Sequence, residues 1–180
     1  MIRRNMVLVK KMLMSVAILL MLTVAPAYAA QWVSWPAPEA ANGEQPRFAR
    51  YFDKDTVRIL YKDGDIQSIY FWCKNIPVNE SKLDYLITLN CINIHHEGGE
   101  TVNTAEYFSP FFMRSKEGQS LENNHDQWTF FGENNGTTLK GMDKIFEELK
   151  ADTEQEKLAR IINTPLDVQN EQVPQSVFSE

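Results

Sequence analysis

Histidine and cysteine supply many metal ligands and nucleophiles, and both are scarce here: three and two among 180 residues. A structural zinc site of four such ligands would consume nearly all of them. Gly-x-Ser-x-Gly, His-Glu-x-x-His, Cys-x-x-Cys and a phosphate-cradling glycine loop are all absent, which removes the local signatures of several hydrolase, redox and nucleotide-binding classes. No apolar run is long enough to cross a bilayer. The longest, Leu13 to Val24, is about a dozen residues where roughly twenty are needed. Basic residues are outnumbered, 18 Lys+Arg against 24 Asp+Glu, so a polyanion such as nucleic acid is a poor partner.

The first thirty residues have the composition of a targeting segment. Arg3, Arg4, Lys10 and Lys11 precede the apolar run, and "APAYAA" places small residues at Ala27 and Ala29, a spacing that signal peptidase accepts. The expectation is a signal peptide at 1–29 and an exported chain: periplasmic, secreted or at the cell surface. No cysteine stands at the cleavage site, so a lipid anchor is not supported. Without the leader the balance is 14 basic residues to 24 acidic ones.

The remainder suits one domain with a single core. Residues 30–46 read as an extended lead-in pinned by Trp32 and Trp35, 47–163 as the domain, and 164–180 as a flexible tail with few apolar anchors. The predicted fold class is α+β: a mostly antiparallel β-sheet of consecutive hairpins, packed against one or two C-terminal helices. In "TVRILYKDGDIQSIYFWC", Val57, Ile59 and Tyr61 alternate, Asp63-Gly64 suits a type I′ turn, and Ile66 to Trp72 is rich in strand formers. Asp84 to His95 is a further strand with Tyr85, Ile87, Leu89 and Cys91 on one face. Gly98-Gly99 turns it back into Thr101 to Phe108, and Pro110 ends or bends that element. "QWTFF" at 127–131 is a short aromatic strand. Met142, Ile145, Phe146 and Leu149 then predict a helix near 141–151, and Thr153 with Glu156 a capping box opening a second helix near 154–163.

Cys73 and Cys91 form an even pair in an exported chain and read as a disulfide, worth roughly 3 kcal/mol in the chain-entropy account. Two buried free thiols are the alternative. The most suggestive cluster is "NCINIHHEGGET", which gathers His95, His96, Glu97 and Glu100 beside Cys91. Neighbouring side chains on a strand point to opposite faces. His95 and His96 therefore diverge, and Cys91 and His95 stand about 13 Å apart along one face. Glu97 and Glu100 meet across the turn as a like-charge pair. This predicts no catalytic residue, no cofactor and no metal site. A small metal-binding or metal-dependent hydrolytic protein built on that hairpin is the alternative. His125 lies in a loop remote in sequence from the others.

"RYFDKDTVRILYKDGDIQSIYFW" and "LDYLITLNCINIHHEGGETVNTAEYF" together resemble the surface-adhesin protein E-like domain of small exported bacterial proteins. The shared features are Phe52-Asp53-x-x-Thr56-Val57, Trp72 in the following strands, Asn90-Cys91, and Tyr107. The resemblance implies an antiparallel sheet packed on helix, no catalytic residues, and a surface or periplasmic binding role. The chain departs from that family in lacking a cysteine near its C-terminus. The resulting expectation is a non-enzymatic, adhesin-like module contacting a protein or cell-surface partner through an edge strand or an aromatic face. The rings at 107–113 and 127–131 supply that face if alternation does not bury them.

Overall fold

A computed structural model describes residues 29–36, 47–79, 81–123, 127–133 and 136–178. Residues 1–28 of the leader, residues 37–46 of the lead-in segment and His125 lie outside the described residues. Three long antiparallel strands form the middle of a nine-stranded sheet: β4 (Asp65–Pro77), β5 (Leu83–Glu97) and β6 (Glu100–Ser115). Short strands lie end to end along each outer side. On β4 these are β2 (Phe48–Asp53) and β3 (Arg58–Lys62), with β1 (Trp32–Ser34) beyond β2. On β6 they are β7 (Ser120–Glu122) and β8 (Thr129–Glu133). Helix α1 spans Gly136–Leu149, helix α2 spans Glu154–Ala159, and β9 (Ile161–Ile162) runs parallel to β3. The α+β class, with its antiparallel hairpins and C-terminal helices, is the observed one.

Local chemistry sets the turns. Asp63 and Gly64 both have positive φ, 55° and 94°, the pair of values a type I′ hairpin requires. The Asp53 carboxylate accepts from the amides of Gln31 (3.0 Å) and Asp55 (3.2 Å), closing the 3-10 turn between β2 and β3. Pro110 bends β6 without ending it. The register slips there, with Ile87 opposite Phe112 and Thr88 opposite Pro110, and a bulge accommodates a residue that cannot donate to the ladder.

Both faces of the sheet are apolar. One carries Phe52, Ile69, Phe71, Cys73 and Ile92, and α1 lays Met142, Ile145 and Leu149 on it. Trp35 stacks on Phe71 with centroids 5.1 Å apart, so the lead-in segment is pinned by its tryptophan. The other face carries Trp72, Ile87, Leu89 and Phe111. The chain's last described residues cover it. Val168 and Val177 are each 3% exposed, and Leu166 and Val173 pack nearby. The flexible tail expected at 164–180 is therefore corrected for residues 166–178. A sheet apolar on both sides needs a second cover, and α1 supplies only one. The second helix is also shorter than expected. Its capping box is present at Thr153 and Glu156, but it stops at Ala159, and the next residues join β3 as β9.

The register also corrects the disulfide. Cys73 lies opposite Thr88 and Cys91 opposite Tyr70. Cys73 belongs to the core beneath α1 and Cys91 to the opposite face, so the sheet itself separates them. Both thiols are free and buried.

Candidate functional site

The histidine hairpin has the expected alternation with one irregularity, a register shift between His95 and His96. His96 Nε2 is 2.7 Å from the Ile66 carbonyl, which orients the ring toward β4. Glu97 faces Glu100 across the turn. Among the described residues, no group of three or more His, Cys, Asp or Glu side chains is placed to hold a metal ion. Cys91 borders a small hollow of about 280 Å³ with Tyr70, Tyr107 and Trp128. Burial pushes its thiol up to about 12, against hydrogen bonds from Tyr70 and Ser68 that favour the thiolate. Burial likewise drives Cys73 up to about 12. Both thiols stay protonated at neutral pH, and a protonated thiol is a weak nucleophile.

The polar chemistry gathers on the α1 side of the sheet. Asn75 Nδ2 donates to Thr88 Oγ1 (3.0 Å), and Thr88 Oγ1 donates to Asn90 Oδ1 (2.6 Å). Asn90 Nδ2 in turn donates to Glu106 Oε1 (3.3 Å). Glu106, 1% exposed, also accepts from Thr138 Oγ1 at 2.7 Å and pairs with Arg50. One line of hydrogen bonds thus runs across β4, β5 and β6 and ends at the first turn of α1. The Arg50 guanidinium lies between the rings of Trp35 and Phe131, 5.1 and 5.2 Å from their centroids. Burial works against its charge, but Cys73 and Glu106 outweigh that and raise its pKa above the ordinary value.

Helix α1 covers the Ile69–Ile92 part of this face. Beyond its N-terminal turn a cleft of about 390 Å³ stays open. Asn75, Thr88 and Asn90 border it, and Phe48, Leu86, Phe108 and Phe131 supply its apolar surface. Compared with protein-family models, curated proteins and solved structures, the chain matches none.

None of Arg50, Asn75, Thr88, Glu106 or Thr138 was singled out from the sequence, and Asn90 entered only beside Cys91 in the resemblance. The available signal was that Thr88 and Asn90 alternate with Ile87, Leu89 and Cys91. That pattern reads equally well as a solvated strand face. The aromatic clusters divide in the structure. Phe111 is buried, whereas Phe130 and Phe131 are 53% and 52% exposed. They project to opposite sides of β8, Phe130 edge-on to Tyr107 and Phe131 edge-on to Phe108.

Proposed function

We propose that this chain is an exported, adhesin-like binding module without catalytic machinery, and that β8 contacts a protein partner presenting an extended segment. One observation carries the reading. β8 bonds only to β6 among the described strands and presents two half-exposed phenylalanines on an otherwise open edge. Native edge strands are commonly blunted by charge, proline or a covering loop. An aromatic edge suits strand addition, in which main-chain hydrogen bonds supply affinity and alternate side chains fill pockets. The resemblance to the surface-adhesin protein E-like domain supports the same reading, as does the signal-peptide pattern at 1–29.

Site-specific photocrosslinking in producing cells tests it. A photoreactive side chain at position 130 is expected to give one defined adduct, absent when the same group replaces Leu158, an exposed residue on α2 (66%). Phe131→Ser is expected to reduce the adduct at position 130 severalfold. Equal labelling from positions 130 and 158, or an adduct indifferent to Phe131→Ser, would remove β8 as the contact.

A further inference from the structure

The cleft beside α1 is a second place where something can bind, and it lies on the face of the sheet rather than at its edge. Its volume, about 390 Å³, falls in the range of small-molecule sites. At about 30 Å³ per water, that is on the order of a dozen waters, and so a ligand of about that many non-hydrogen atoms. Phe48, Leu86, Phe108 and Phe131 offer apolar and aromatic surface for most of it.

The charge is what narrows the ligand class. The ionisable residues bordering the cleft are Arg47 and Arg50, in a chain of net charge −6. The charge on Arg50 is balanced by Glu106, which lies beneath it and also accepts from Asn90 and Thr138. Arg47 is exposed, and among the described residues it has no ion pair and places a positive charge without a countercharge at the rim. Thr137, in the first turn of the fourteen-residue helix α1, borders the same cleft. The positive end of that helix dipole therefore adds to the field of Arg47. A polyanion would need more cations than this, and a cation would be repelled.

We propose that the cleft binds one small anionic amphiphile, a free carboxylate or sulfonate with an apolar body. The head group sits at Arg47 with Arg50 beside it. The body lies against Phe48, Leu86, Phe108 and Phe131, over the floor formed by Asn75, Thr88 and Asn90. This goes beyond the edge-strand reading, because it asks nothing of the free side of β8.

The test uses the leaderless chain and titration calorimetry with monomeric decanoate, whose size of about a dozen non-hydrogen atoms matches the cleft. Saturable one-site binding is expected, with at least tenfold weaker binding of decylamine, its charge-reversed counterpart. Arg47→Ala is expected to weaken decanoate at least fivefold with an unchanged melting temperature. Leu86→Trp, which fills the cleft, is expected to abolish binding in a folded protein. Absence of saturable decanoate binding would overturn the proposal. So would equal binding of decylamine, unchanged affinity in Arg47→Ala, or association with anionic vesicles but not with monomeric decanoate. Crosslinking from position 130 is read separately, so either inference can fail while the other stands.

Discussion

Glu106, on β6, ties β2, β5 and α1 together through its carboxylate. It is 1% exposed and is approached by Arg50, Asn90 and Thr138. Glu106→Ala would remove the acceptor and leave Arg50, largely buried between Trp35 and Phe131, without its countercharge. Breaking a buried ion pair by deleting one partner costs about 3–5 kcal/mol, most of it from the charge left behind. At about 2–4 °C per kcal/mol for a domain of this size, the melting temperature should fall by roughly 6–20 °C. Replacing both partners, as in Arg50→Met with Glu106→Leu, removes the uncompensated charge. The double variant should therefore lose less than Glu106→Ala alone, because an apolar replacement of a buried pair is often close to neutral. Urea unfolding followed by circular dichroism measures both, and the cycle completed with Arg50→Met gives the coupling. A loss below about 1 kcal/mol for Glu106→Ala would place it among exposed pairs and refute the buried network.

Gly141→Ala should destabilise by about 1–3 kcal/mol through overpacking, since a Cβ there would lie 2.1 Å from the Trp35 ring; thermal melts check this, and an unchanged melt would mean Trp35 does not pack against α1. Burial opposes ionisation of Asp152, but hydrogen bonds from Lys54 and Arg160 more than offset this and hold its pKa below the ordinary carboxylate value. The stability it contributes is complete above that ordinary value and is lost as pH falls through the depressed one. Asp152→Asn should therefore flatten the acid limb of the stability curve, and an acid limb identical to wild type would contradict the assignment. Asp53 has the opposite sign. Burial, only partly countered by the amides of Asp55 and Gln31, raises its pKa. Its contribution is therefore complete at low pH and lost as pH rises through the raised value, so Asp53→Asn should retain more of its stability toward neutral pH than wild type does.

Much of the sheet was legible because it rests on local rules. Asp63-Gly64 and Gly98-Gly99 fix two hairpins, and alternation through Tyr85, Ile87, Leu89 and Cys91 fixes one face of β5. What was not legible depended on register and on distant covers. "IYFWC" at 69–73 is apolar without interruption, the mark of a strand buried on both sides. Read as one half of an ordinary hairpin, it gave no reason to expect a second layer, so 166–178 looked like a tail. Pairing Cys73 with Cys91 required a register that turn chemistry alone does not specify. The loop between Pro77 and Leu83 let β5 slide by three positions, an odd number, which moves one cysteine to the other face. The polar line from Asn75 to Glu106 was hidden for a different reason. Its members are dispersed over three strands and a helix, and a buried Thr-x-Asn is indistinguishable from a solvated one until the helix above it is placed.

The most direct measurement for the central claim, that the sheet places Cys73 and Cys91 on opposite faces, is a count of thiols by intact mass. The leaderless chain would be treated with iodoacetamide at pH 8 without reductant, first folded and then in denaturant. Almost no modification is expected while the chain is folded, two adducts once it is unfolded, and the same melting temperature with or without reductant. A chain that takes up no reagent in denaturant until it is reduced would carry a bridge between these residues, and the register described for β4 and β5 would be wrong.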